Sequence, residues 1–257
     1  MKMTKKMLFG AAVLAMVFGF ASCKQDDDPN GMITGSNNNY AIDYTNESTT
    51  EISRGYNTST LKHAGALVKI TFEKTAGNGG MMGFVFDYEQ TNGKSTFNVV
   101  GVRQDGGYYI SKFANIVDLQ AKNFGATTTA TGDNPKEVEY VAWSNSSPKK
   151  LTNYTQTDGA YLWVIQSEDG TNYKVYNLDK ATAESAVVAD ANKGVLKDKN
   201  GNEITLPTAL ATIPTGYTAQ AQKRYGVYAN VYASSSVKGT WTLLGTYKEA
   251  EAIADAE

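Results

Sequence analysis

The chain of 257 residues carries 24 lysines and arginines against 26 aspartates and glutamates, with one histidine and one cysteine. So even a balance, with Arg54, Arg103 and Arg224 as the only arginines, leaves no basic patch for nucleic acid. A lone cysteine also excludes any disulfide framework within the chain.

The first segment is a leader. Lys2, Lys5 and Lys6 precede an apolar run from Met7 to Phe20, which is shorter than the roughly 20 residues a bilayer-spanning helix needs and is led by cations as a secretory signal is. Phe20-Ala21-Ser22-Cys23 then resembles the lipobox of bacterial lipoproteins, with Phe20 in place of the usual leucine, as in the relaxed lipoboxes of spirochaetes and Bacteroidetes. The resemblance implies cleavage after Ser22, so that 1–22 is a signal peptide, and acylation of Cys23 by two or three chains such as palmitate. Each buried CH₂ contributes about 0.8 kcal/mol, so more than one chain anchors firmly. The expected address is the outer membrane or cell surface, with the membrane as a partner through the lipid.

Without the three leader lysines, 21 basic residues remain of the 24, against 26 acidic ones, a net charge near −5. Lys24 follows the cysteine, and Asp26-Asp27-Asp28 resembles the acidic surface-export signal of Bacteroidetes lipoproteins. A solvated acidic spacer accounts for the same run. Residues 23–40, through Pro29 and the stretch from Gly31 to Asn39, lack a core-forming period and are expected to be a polar tether. At 5–6 Å per root residue it spans roughly 20–25 Å.

Residues 41–247 show short alternating runs divided by turn signals. Ala66, Val68, Ile70 and Phe72 make one apolar face. After Gly77-Asn78-Gly79-Gly80 the chain resumes at Gly83 to Tyr88, with Phe84, Phe86 and Tyr88 placed together. Asn92-Gly93 predicts a type I′ hairpin. Phe97 to Arg103, a turn at Asp105-Gly106-Gly107, and Tyr108 to Ser111 complete a meander. A threonine-rich connection, Ala126 to Pro135, leads to a strand over Glu137–Trp143, and a hairpin around Asp169-Gly170 joins Tyr161–Gln166 to Tyr173–Leu178. The alanine-rich stretch Lys180–Lys193 predicts one short helix ended by Gly194. Asn200-Gly201 turns before Glu203–Leu206, and Tyr225–Tyr232 and Thr240–Thr246 are the late strands. The last ten residues, 248–257, are a charged tail.

So many short strands bury their apolar faces best as two packed antiparallel sheets, so the expected fold class is an all-β sandwich in one domain. The strands from Ala66 to Ser111, with Tyr225 to Tyr232 before the last strand, resemble a concanavalin A-like, laminin-G-like jelly roll. The resemblance covers about a third of the mature chain and rests on strand patterns, so it speaks for the fold more than for function.

Chemistry is sparse. With Cys23 acylated and His63 the only histidine, cysteine–histidine catalysis and most zinc sites are removed. Retaining glycosidases on this fold carry a Glu-x-Asp-x-x-Glu strand that converges its carboxylates; Asp87/Glu89 and Glu137/Glu139 are the nearest pairs, and each lacks the third acid. Asp198 to Glu203 alternates oxygen side chains as a calcium loop does, but lacks the closing glutamate and reads as a hairpin. No cofactor and no catalysis are expected. Sixteen tyrosines and three tryptophans suit stacking on saccharide rings. The candidate ligand-binding residues are Tyr108, Tyr109, Trp143, Tyr228 and Tyr232. Core packing is the competing role for each. The expected role is extracellular binding, with glycan as the candidate partner; the alternatives are an adhesin or structural surface antigen contacting host protein without a saccharide groove, and a glycoside hydrolase.

Overall fold

The computed structural model describes residues 31–36, 39–46, 53–62, 65–73, 80–116, 136–144, 146–167, 170–189, 195–214, 224–231 and 235–247. The leader, Cys23, His63, Tyr232, the 126–135 connection and the charged tail lie outside the described residues. In chain order the first strands are β1 (Gly31–Ser36), β2 (Asn39–Asn46), β3 (Ser53–Lys62), β4 (Gly65–Phe72), β5 (Gly80–Thr91), β6 (Lys94–Arg103), β7 (Tyr108–Ile116) and β8 (Lys136–Val141). Then come β9 (Ala160–Gln166), β10 (Asn172–Leu178), helix α1 (Lys180–Ser185), β11 (Ala186–Val187), β12 (Lys197–Asp198), β13 (Ala211–Pro214), β14 (Arg224–Val231) and β15 (Ser235–Tyr247).

The fold is an all-β sandwich of two antiparallel sheets. One sheet has the order β1-β2-β15-β4-β9-β10-β13 and the other β3-β14-β5-β6-β7-β8. The late strands are interleaved with the early ones: β14 pairs with β3 and β5, and β15 with β2 and β4. The chain thus crosses between the sheets several times, while β5 to β8 run as a meander within one of them. Between the sheets lies a core that includes Val68, Ile70, Phe84, Phe86, Val100, Ile110, Leu162, Val175, Tyr225, Val227 and Trp241.

The alternation of Ala66, Val68, Ile70 and Phe72 emerges as expected, all four lining this core while Leu67 points to the opposite face. Asn92 and Gly93 take φ of 52° and 74°, the left-handed pair of a type I′ turn. Four expectations change. Residues 31–36, assigned to the tether, form β1 and pair with β2 in register Ile33↔Ile42, because backbone pairing at a sheet edge needs no apolar period; the domain already includes Tyr40, whose ring meets Trp241 at 5.5 Å. Tyr88 does not share the face of Phe84 and Phe86. Asp87 sits at φ 52° where the register slips between Phe86 and Glu89, and this bulge turns Tyr88 to the outer face with Val85 and Phe97. Helix α1 is capped by Asp179, whose Oδ1 accepts from the Thr182 N–H at 2.9 Å, but it ends at Ser185 because Ala186 and Val187 go extended and pair with β12. Glu203–Leu206 contributes one bridge, Lys197↔Glu203, rather than a strand.

Both outer faces are also apolar. Leu67, Tyr161, Trp163, Tyr176 and Leu178 gather on one with Ala183 of α1 and Leu196. On the other, Met81, Val85, Val99, Tyr109, Phe113 and Tyr228 form a separate cluster. Its floor is made by glycines. Gly83 and Gly101 stand opposite one another in β5 and β6, Tyr109 lies across Gly101 and Tyr228 across Gly83, and the two rings meet edge to face at 6.5 Å. A methyl group on Gly101 would come within 2.1 Å of the Tyr109 ring.

Overpacking of this kind costs about 1–3 kcal/mol. Gly101→Ala is therefore expected to lower the unfolding free energy by that amount, read as a lower urea midpoint with the slope unchanged; an unaltered midpoint would contradict this packing.

Candidate functional site

The hairpin joining β6 to β7 gathers charge. Asp105 lies in the turn, with Gly106 at φ 81°, and its Oδ1 accepts the Gly107 N–H at 3.0 Å. Arg103 donates to the same carboxylate through Nε at 2.8 Å and through Nη2 at 2.5 Å, the two-pronged geometry that makes arginine–carboxylate pairs directional. A second segment crosses the hairpin: Tyr108 N–H donates to Lys149 O at 3.0 Å and Leu151 N–H to Gly106 O at 2.9 Å. That bridge sets Lys150 opposite Gly107, where its Nζ donates to Asp105 Oδ2 at 2.5 Å and to the Asp105 carbonyl at 3.0 Å.

The crossing segment is pinned on its far side as well. Tyr154 donates its hydroxyl to Gln104 O at 2.5 Å and sets its ring edge to face against Phe72. Buried Asn177 of β10 accepts the Asn153 N–H at 2.8 Å, and Asn153 returns its amide to Asn177 O at 3.2 Å. Trp143, two residues past β8, completes the group: the Arg103 guanidinium carbon stands 4.6 Å from its ring centroid, within cation–π range. Its ring edge rests over Gly107, where an added methyl would come within 3.0 Å.

Burial works against the charge on Asp105, but the donated hydrogen bonds of Arg103, Lys150 and Gly107, with the guanidinium charge, more than offset it and hold the carboxyl well below the usual carboxylate range. The Tyr154 hydroxyl goes the other way, pushed up to about 12 by burial and then by the negative charge of Asp105. The patch thus holds two cations around one carboxylate beside an aromatic ring.

Of the aromatics expected to meet ligand, Trp143 is half-buried and belongs to this patch. Three others are corrected by burial. Tyr108, 6% exposed, faces the inner core, while Tyr109 and Tyr228, 5% and 0% exposed, lie in the outer cluster. Adjacent strand residues do point to opposite faces, but here both faces are dry, so none of the three offers a ring face to a sugar. Tyr232 and the lipidation residue Cys23 lie outside the described residues. Arg103, Asp105, Lys150 and Tyr154 were not foreseen as a group; Arg103 and Asp105 were visible as a charged turn two residues apart.

Asp87 is buried in the bulge, accepting from Asn98 Nδ2 at 3.3 Å, and Glu137 and Glu139 stand on β8 opposite Phe113 and Ser111. Asp198 spends its carboxylate on its own turn, accepting the N–H groups of Asn200 and Asn202, each at 2.8 Å. Among the described residues no three or more histidine, cysteine, aspartate or glutamate side chains gather as metal ligands. Neither a family model nor a curated protein matches the chain.

Asp105 also makes a prediction about acid. A carboxyl whose folded pKa lies below its unfolded value of about 3.9 stabilises fully above that pH, and the contribution fades as pH falls through the folded value. Asp105→Asn should therefore lower the urea midpoint at pH 7, and the gap from the parent chain should narrow below about pH 4. A gap that holds constant down to pH 2 would disconnect Asp105 from the ion pairs.

Proposed function

We propose that the mature protein is a non-catalytic binding module, anchored at the cell surface or outer membrane by acyl chains on Cys23, that meets a saccharide at the Trp143 patch. The observation that carries this reading is the state of Trp143. It is half-buried, with its inner side against the outer cluster, and it is backed by the Arg103 guanidinium and flanked by hydrogen-bonding groups on a cross-braced hairpin, while Tyr108, Tyr109 and Tyr228 are buried entirely in packing. A flat ring held rigid beside a few fixed polar groups is what stacking on a sugar face requires. The burial of Asp87, whose carboxylate accepts from Asn98 inside the β5 bulge, supports binding over hydrolysis at that pair, since cleavage needs two carboxylates facing one bond at about 5–5.5 Å in a retaining enzyme.

With β1 counted into the domain, the tether shortens to residues 23–30, and a flexible chain of that length spans roughly 15 Å. The sandwich then rides close above the headgroups.

Two measurements check this. Cys23→Ser should move the protein from the membrane to the soluble fraction, and continued membrane association would refute the lipid anchor. On a glycan array the full chain should bind, and Trp143→Ala should weaken that binding by about 30-fold, the effect of removing a central aromatic contact of about 2 kcal/mol. An array that stays blank, with host protein captured instead, would replace the saccharide reading by the adhesin one.

A further inference from the structure

We infer that the Trp143 patch selects an acidic saccharide, one bearing carboxylate or sulfate groups, over a neutral one. This rests on the saccharide reading above and names the class of sugar within it. The basis is which hydrogen-bonding capacity the patch still has to give. Sites for neutral sugars commonly include a carboxylate that accepts sugar hydroxyls. Among the described residues the patch has one carboxylate, and it is saturated: Asp105 Oδ1 accepts from Arg103 Nε and Gly107 N, and Oδ2 from Arg103 Nη2 and Lys150 Nζ.

What remains is donors and positive charge. Lys150 uses two of its three ammonium donors, both on Asp105, and its side chain is 47% exposed. Among the groups described at the patch, it and Arg103 make two cations against the one carboxylate of Asp105, beside the Trp143 ring. Exposed Lys149 precedes it on the same crossing segment. Among the described residues, Glu139 of the adjoining β8 pairs with Ser111, four residues along β7 from Gly107, or about 13 Å of backbone at strand spacing. A ring stacked on Trp143 with an anionic substituent reaching Lys150 gains a charge-assisted hydrogen bond; a neutral ring offers no group that exploits the Lys150 charge.

The test is a binding comparison on the full chain in detergent, using acidic oligosaccharides each beside a neutral counterpart: oligogalacturonate against its methyl ester, and dextran sulfate against dextran. At least one acidic member is expected to bind ten-fold or more tightly than its neutral partner, with the preference shrinking as sodium chloride rises from 0.05 to 0.5 M. Lys150→Met should erase the preference and Lys150→Arg keep it. Because the parent chain alone gives the acidic-to-neutral ratio, a poorly folding variant does not remove the test. Equal binding within both pairs, or tighter binding of the neutral members, overturns the inference and leaves the saccharide reading standing. No binding to any of the four overturns both.

Discussion

Phe84 is the hinge of the structure's energetics, because its ring touches both sheets. It stacks on Tyr225 at 5.2 Å and 9°, on Phe86 at 5.8 Å, and reaches across the sandwich to Trp241 at 6.0 Å. Tyr225 and Trp241 belong to β14 and β15, the late strands inserted between early ones in each sheet. Neither sheet can close, and the central aromatic stack cannot form, until those strands arrive. Stability is thereby tied to contacts between distant parts of the chain, the kind of topology that folds slowly because long loops must close before any contact rewards them.

The second constraint is that all three layers are apolar. A sandwich normally buries one face of each sheet and wets the other, but here Trp163 and Tyr161 on one outer face and Tyr109 and Tyr228 on the other are as buried as the centre. The glycine pair Gly83 and Gly101 is what permits this on the β5–β6 side, since the absence of Cβ atoms there lets the Tyr109 and Tyr228 rings come down close to the strands. Sheet faces used for packing are not free to bind, so recognition is displaced to hairpins and crossing segments. The braced turn at 103–108 is such a place, and its rigidity comes from three separate ties: the Lys149–Leu151 bridge, the Tyr154 hydroxyl on Gln104, and the Asn153–Asn177 pair.

Sequence reading reached what is local. The period-two run from Ala66 to Phe72 and the positive-φ pair Asn92-Gly93 are decided by neighbouring residues, and both appear as expected. Tyr88 shows where locality ends: its face depends on a bulge at Asp87 that exists only because β5 must pair with β6 and β14 at once. Helix α1 stops early for a like reason, since the competing partner, β12, lies ten residues on. Arg103 and Asp105 could be seen as a charged turn, but Lys150 enters from 45 residues away, and no periodicity announces that. The burial of Tyr109 and Tyr228 was hidden because it depends on what covers the outer face of a sheet.

The two titratable groups braced in the hairpin are both held away from neutrality. A general acid or base works best with a pKa near the operating pH. Asp105 is held well below the carboxylate range by four donors, and Tyr154 is pushed up to about 12, so both are displaced away from neutrality in opposite directions. Neither changes charge between pH 5 and 8. A patch whose carboxylate stays ionised and fully paired, next to a guanidinium that never deprotonates, presents a fixed electrostatic surface. On the proposed reading, that is the property a recognition site for an anion needs.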